Sequence, residues 1–259
     1  MITLIIIGSI IGLISSLLGI SGGFLLVPIL YHYFISLGVP STTAIKMAIG
    51  TSLFTIFLNS LFSLYFSRHQ LDLRSSLHIG IFGIFGSFIG AYLTIKVFPE
   101  YVIKKIFGFF LIILSIYLIF KKHKDIENFQ GNICNKKLSL LGFITGILSS
   151  MLGIGGGIIV IPSLNILLSV PIKRAITISI GMISIITFPG VIIYMFSSIG
   201  EFDSLYNIGY VSLSTSLTLL PFCITFSKVG AQIKDKINTK YLRYLLAIFI
   251  LIGGLRMIT

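Results

Sequence analysis

The sequence predicts an all-α, polytopic membrane protein made of two homologous halves. The 259 residues have a mean hydropathy of +1.08; 56% of them are hydrophobic and only 10% are charged. Such a composition has too few polar residues to cover a water-soluble domain, so the apolar runs are expected to be membrane spans. Residues 12–28 recur as residues 146–162 with nine identical positions, and this duplication predicts the two halves.

Both copies carry a glycine cluster inside an apolar run, at residues 19–23 and 153–157. Glycine lowers helix stability and frees the backbone, so each helix can break at its cluster. In a bilayer, the freed N–H and C=O groups are tolerated only where they are buried in protein or face a water-filled cavity. The duplication favours a paired functional centre at the two breaks. The alternative is that the glycines only allow close helix packing.

The first half, residues 1–120, is predicted to contain a broken helix followed by three spans. Residues 2–18 form most of a span, and residues 24–37 after the break are short enough for a half-helix or re-entrant limb. Full spans are predicted at residues 44–66, 76–97 and 101–120. The middle one carries a stripe of glycines that predicts tight helix packing: Gly80, Gly83, Gly86 and Gly90.

A basic polar link, residues 121–137, joins the halves and is predicted to be cytoplasmic. The second half, residues 138–259, repeats the order with a helix at 138–151 and a short limb at 158–170. Spans follow at 175–198, at 205–228 and up to about residue 258, and the first of these is expected to be interrupted at Pro189-Gly190. The usual way of counting gives about eight membrane segments.

The distribution of basic residues favours inverted repeats. If each short limb returns to its starting side, three further crossings invert the second half. If each limb continues one broken span, four crossings leave the repeats parallel. The inverted layout places 13 basic residues of the links inside and 4 outside, against 9 and 8 for the parallel one. The positive-inside rule therefore predicts inverted repeats in a cell (plasma or inner) membrane, with the glycine breaks near the midplane.

The doubled glycine motif, the proline that ends each copy and the size of the apolar chain resemble the sulfite exporter TauE/SafE family. The resemblance covers essentially the full length, with one departure: Ser21 stands where the second copy has Gly155. It implies a membrane transporter of sulfite, organosulfonates or related small anions. The family is broad in substrate, so the resemblance does not fix the anion.

The candidate site follows from what an oxyanion needs. The N–H groups of a broken helix and the positive end of a half-helix dipole supply donors in a low dielectric. No Asp or Glu lies inside a predicted span, which argues against a cation site and a carboxylate proton relay. The predicted substrate-binding residues are the glycine clusters and nearby polar side chains: Gly19, Ser21, Gly22, Gly23, Lys46, Thr51, Ser52, Asn59, Gly153, Gly155, Gly156, Gly157 and Ser184.

Lys46 is the one charged member of this set. It is predicted to lie about one turn into its helix, where it could attract an anion or extend to the membrane interface. Thr177 stands at the equivalent position of the second half, so a site that uses Lys46 would be asymmetric.

These features predict a secondary transporter or exporter of a small anion, with a passive anion channel or a non-transporting scaffold as alternatives. The spans contain no clustered nucleophile, acid–base pair, metal set or P-loop, so neither an enzyme nor a cofactor is expected. The basic residues lie in short links, a pattern typical of topology determinants and lipid head-group contacts and not of a nucleic-acid surface. The expected partners are a small anion and the bilayer, and a homo-oligomer is left open.

Overall fold

The computed structural model describes residues 2–18, 22–67, 72–120, 135–198, 207–233, 247–248 and 251–257, which are almost entirely helical. The helix Leu73–Tyr92 runs on into a π-helical turn, Leu93–Val97. A short hairpin of two-residue strands, β1 (Asn207–Ile208) and β2 (Val211–Ser212), precedes the long helix Leu213–Ile233. Residues 251–257 are also helical. The all-α class is therefore confirmed. The helices are α1 Ile2–Leu18, α2 Gly23–Ser36, α3 Ser41–Ser67, α4 Leu73–Tyr92, α5 Glu100–Phe120, α6 Asn135–Leu152, α7 Gly157–Leu167, α8 Ile172–Phe196 and α9 Leu213–Ile233.

The outer surface of the helices is apolar, as a bilayer requires. Within the described residues, three helical stretches are long and apolar enough to cross a membrane: Ser41–Tyr65, Leu73–Val97 and Ile172–Phe196. Large apolar side chains such as Phe85 and Ile113 are more than 60% exposed. Such exposure over many helices is rare in soluble monomers and is natural where lipid tails cover the surface. The chain is therefore a membrane protein.

Helix α8 departs from the sequence prediction. The interruption expected at Pro189-Gly190 is wrong, because α8 continues through both residues and both are buried. Membrane helices tolerate an internal proline when neighbouring groups compensate for the lost backbone hydrogen bond. Gly190 lies where a Cβ would be 3.0 Å from Ser150 Oγ and 3.3 Å from Leu53. The pair thus allows α6 and α3 to approach α8 closely.

Glycines bring α4 and α6 into backbone contact. A Cβ on Gly142 would overlap the carbonyl oxygen of Ile79, and a Cβ on Gly146 would overlap that of Gly83. The predicted packing stripe on α4 is therefore confirmed: the remaining members also lie against neighbouring helices, with Gly80 on Ile185, Gly86 on the Phe143 carbonyl and Gly90 on the Ile147 carbonyl.

The same kind of contact joins α1 to α9. A Cβ on Gly12 would overlap the carbonyl oxygen of Cys223, and one on Gly8 would lie 3.0 Å from that of Leu219. Gly8 and Gly12 precede Gly142 and Gly146 by the repeat offset of residues 12–28 and 146–162. The glycine pair of each broken helix thus packs on a helix from the other part of the chain, α1 on α9 and α6 on α4.

Helices α4, α6 and α8 run in one direction. On α4 and α6 the contacts follow the same order from N-terminus to C-terminus, because Gly142 meets Ile79 and Gly146, one turn later, meets Gly83. Helices α4 and α8 begin together, because Arg174 pairs with Asp72 at 2.8 Å and Ser76 Oγ donates to the Ile178 carbonyl at 3.0 Å.

Helices α1, α3 and α9 run in the opposite direction. Gly50 of α3 lies against Tyr194, whereas Leu53, further along α3, meets Gly190, which is earlier on α8. Helix α3 is therefore antiparallel to α8. Helix α9 is parallel to α3, with Thr51 beside Ser212 and Thr55 beside Ser216, and α1 follows α9 in register.

Candidate functional site

The second glycine cluster breaks the chain as predicted. Helix α6 ends at Leu152 and α7 begins at Gly157. Between them Gly153, Gly155 and Gly156 have φ angles of +67°, +79° and +83°, a region that glycine adopts without steric cost and other residues rarely enter. The unwound segment is fully buried.

The first cluster is described from Gly22 onward. Gly19 and Ser21, two of the predicted site residues, lie outside the described residues. Gly22 is the N-cap of α2, at φ −69° and ψ 5°, and Gly23 is the first residue of that helix. Both are buried.

The two breaks are in contact with each other. A Cβ on Gly23 would lie 2.6 Å from the carbonyl oxygen of Gly153 and 2.9 Å from the Cα atom of Ile154. A Cβ on Gly153 would in turn lie 2.8 Å from Val27 of α2 and 3.1 Å from Ile49 of α3. The start of α2 therefore rests on the unwound segment that precedes α7.

Both breaks present the N-terminus of a helix. Leu25 and Leu26 donate their N–H groups to the Gly22 carbonyl at 3.1 Å. Ile159 and Val160 likewise donate to Gly156, at 3.0 and 3.1 Å. Within the parts of the chain that the structure describes, the earlier amides of both first turns have no acceptor. Each terminus therefore combines unpaired N–H donors with the positive end of a helix dipole.

Helix α3 supplies two of the predicted polar side chains. Ser52 Oγ donates to the Gly153 carbonyl at 2.7 Å, so this buried hydroxyl holds the second break. Thr51 Oγ1 accepts the N–H of Ser212 at 3.0 Å. Thr51 is thus directed to the start of α9 and not to a glycine break.

Lys46 of α3 contacts the π-helical turn and the hairpin. Its ammonium group donates to the carbonyl of Ile95 in the π-helical turn at 2.9 Å and lies 5.8 Å from the centre of the Tyr210 ring. Ile49, one turn further along α3, is the residue that touches Gly153. The charge is therefore about one turn from the break and is directed towards α4 and the hairpin.

Asn59 and Ser184 are less closely connected with the breaks. Asn59 is half-buried on α3, seven residues and about 10 Å along the axis from Ser52. Ser184 is buried on α8, and its carbonyl lies 3.5 Å from Thr187 Oγ1. The described contacts do not bring either side chain to a glycine break.

Two residues next to the second break were missed by sequence reasoning. Thr145 and Ser149 of α6 are fully buried, and neither hydroxyl has a hydrogen-bond partner among the described residues. Ser149 repeats Ser15 in the duplicated stretch, which is a signal that could have identified it. Thr145 replaces Ile11 of the first copy, so the duplication alone gave no indication of its hydroxyl.

The chain is similar to known membrane transporter proteins over almost its whole length. The profile of the family described as sulfite exporter TauE/SafE matches residues 4–257. A probable membrane transporter protein of Methanocaldococcus jannaschii is 38% identical over 260 aligned residues, covering 98% of this chain and 94% of the relative. Probable membrane transporter proteins of Bacillus subtilis and Haemophilus influenzae are 29% and 26% identical, each covering 98% of this chain and 96% of the relative. No solved structure matches the chain.

Proposed function

The chain belongs to the sulfite exporter TauE/SafE family, and from that premise we propose that it is a secondary transporter or exporter of a small anion such as sulfite or an organosulfonate. The family and the relatives make it a membrane transporter and not an enzyme. The observation that carries the proposal is the contact of Gly23 with Gly153. It joins two buried helix breaks where backbone donors are available to a substrate.

The chemistry of the breaks favours an anion. The N-termini of α2 and α7 offer N–H groups and the positive ends of two helix dipoles, which together form a common anion-binding arrangement. The described acidic residues, Asp72 and Glu100, lie before α4 and at the first residue of α5. Among the described residues, no carboxylate at the breaks opposes a negative substrate.

The predicted site residues at and near the described breaks take three roles under this proposal. Gly22 and Gly23, with the segment from Gly155 to Gly157, supply backbone donors. Ser52 fixes the unwound segment through the Gly153 carbonyl. Lys46, held one turn away, contributes positive potential and does not touch the anion.

We infer that residues 1–120 and 138–259 are inverted repeats. The opposite directions of α1 and α6, of α3 and α8, and of α4 and α9 support this inference, because each pair occupies equivalent positions in the two halves. The common direction of α1 and α3 also supports a limb that returns towards its starting side. Three further crossings per half then place residues 121–137 in the cytoplasm of a cell with this protein in its plasma membrane.

Cysteine labelling tests this topology. In a variant without Cys134 and Cys223, we expect Gln130→Cys to react with a membrane-impermeant maleimide only after the membrane is permeabilised. Asp203→Cys is the control, since the inverted layout puts it outside and predicts labelling in intact cells. Labelling of position 130 in intact cells would contradict the inverted repeats.

Flux in proteoliposomes tests the function itself. We expect purified protein to carry at least one of sulfite, thiosulfate, sulfate or a sulfonate in a saturable manner. A secondary transporter concentrates its anion when a proton or sodium gradient is imposed, whereas a passive channel only equilibrates it. Absence of flux for every anion from a folded, correctly inserted protein would contradict the proposal.

A further inference from the structure

We propose that Thr145 and Ser149 bind the oxygen atoms of the substrate and that the second glycine break is therefore the oxyanion subsite; this inference rests on the proposed function. Both side chains have zero exposure, and neither hydroxyl has a hydrogen-bond partner in the described parts of the chain. Buried polar groups are nearly always paired. Two unpaired hydroxyls one turn apart therefore indicate a missing partner.

Other buried threonines of the chain show that such a hydroxyl can bond within its own helix. Buried threonines elsewhere in the helices donate to the carbonyl four residues earlier, as Thr187 does to Ile183 at 2.8 Å and Thr94 does to Gly90 at 3.0 Å. Thr145 and Ser149 do not make this bond. Their hydroxyls are thus left available to something outside the helix.

Both side chains face the start of α7. A Cβ on Gly156 would lie 2.6 Å from Thr145 Cγ2 and 3.7 Å from Ser149 Cβ, and residues four apart on a helix share one face. Gly156 is the N-cap of α7, with a φ of +83° that excludes most side chains. The side chains of Thr145 and Ser149 therefore lie beside the N-terminus of α7, with its amides and the positive end of its dipole.

This set of donors suits an anion with at least two acceptor oxygens. The Cβ atoms of residues four apart on a helix are about 5–6 Å apart, so Thr145 and Ser149 approach a ligand from two positions. The amides of α7 approach it from a third. A sulfite or sulfonate group offers separate oxygens to each donor, whereas a halide offers a single centre.

The equivalent place in the first half is less polar. A Cβ on Gly22 would overlap Ile11, which stands where the second half has Thr145, and would lie 3.5 Å from Ser15 Cβ. One hydroxyl is therefore replaced by a hydrocarbon side chain. This difference assigns the oxygens to the second break and leaves the less polar remainder of a substrate to the first.

The test is Thr145→Val, which keeps the methyl group beside Gly156 and removes only the hydroxyl. The dissociation constants of sulfite, sulfate, thiosulfate, methanesulfonate and chloride are measured by calorimetry on detergent-purified protein, together with the melting temperature. We expect the dissociation constant of the tightest oxyanion to rise about tenfold to hundredfold, as for loss of a hydrogen bond to a charged group. The ligand-free protein should melt at the same or a higher temperature, because an unpaired buried hydroxyl has been removed.

Two further variants complete the design. Ser149→Ala should raise the dissociation constant of the same anion in the same way. Thr218→Val is the matched control, since the Thr218 hydroxyl donates to the Ser214 carbonyl on the exposed side of α9. It should leave anion binding unchanged.

The outcomes separate this inference from the proposed function. If Thr145→Val and Ser149→Ala bind the oxyanions as tightly as the unchanged protein does, the subsite is wrong while anion transport stands. A lower melting temperature with unchanged binding would likewise overturn it, since the hydroxyls would then have only a structural role. If chloride binds as tightly as the oxyanions, the substrate class is wrong. If the unchanged protein neither binds nor carries any of these anions, both proposals fail.

Discussion

Replacement of Gly146 by alanine is expected to push α4 and α6 apart and to lower the stability of the protein strongly. The added Cβ would overlap the carbonyl oxygen of Gly83 and lie 2.9 Å from the amide nitrogen of Ser87. Both neighbours are backbone atoms, which cannot rotate away, so the two helices must separate. Overpacking typically costs about 1–3 kcal/mol and occasionally more, and we expect at least about 3 kcal/mol here. For a chain of this size that corresponds to a fall in melting temperature of about 6–12 °C.

Gly253 provides the matched control for this prediction. It is also a helical glycine, but its Cβ would meet only Leu111 Cδ1 at 4.0 Å. Gly253→Ala should therefore keep the melting temperature or raise it slightly, because alanine favours a helix by about 1 kcal/mol over glycine. Melting curves and the yield of monodisperse protein in detergent measure both variants. Equal behaviour of the two would show that the helices can separate without loss and that glycine contact is not what joins α4 to α6.

Helix positions were predictable because bilayer spans leave a strong composition signal. The first helix was predicted at residues 2–18 and observed at Ile2–Leu18, since an apolar run that ends in glycines has few alternatives in a membrane. The glycine stripe of α4 was predictable for the same reason, because small residues are what allow close helix packing. The Pro189-Gly190 prediction failed because the fate of a proline depends on the neighbouring helices.

The candidate site was predictable in its backbone and in one side chain, that of Ser52, which contacts the second break. The duplicated glycines gave the location of the breaks, and the contact of Gly23 with Gly153 follows from how the two halves pack. The partner of Lys46 was not predictable, because Ile95 is 49 residues away and its carbonyl becomes accessible in a π-helical turn. The absence of a described partner for the Thr145 hydroxyl was also not predictable, because the sequence does not determine which hydroxyls bond to a carbonyl of their own helix.

Alanine at Gly23 is expected to reduce transport about a hundredfold in protein that still folds. Its Cβ would lie 2.6 Å from the Gly153 carbonyl oxygen and 2.9 Å from the Ile154 Cα atom, and would overlap the Ile56 side chain. Ile56 can change rotamer, but the unwound backbone must move as a whole. A displacement of about 1 Å at a binding site can cost about a hundredfold in rate. Flux per folded molecule and the melting shift induced by substrate, which reports binding through linkage, measure the effect.

Gly80→Ala is the control that shows whether overpacking at any helix contact lowers flux, or only overpacking at a glycine break. The three atoms nearest to its Cβ would all belong to the side chain of Ile185, at 2.9 Å and beyond, in the interface of α4 and α8. We expect this variant to lower the melting temperature while flux per folded molecule and the substrate-induced shift stay near those of the unchanged protein. In Gly23→Ala, by contrast, flux per folded molecule should fall strongly while the melting temperature changes less. Normal flux and a normal substrate-induced shift in Gly23→Ala would mean that the paired glycine breaks serve only to pack helices, because a site built from their backbone could not absorb that displacement.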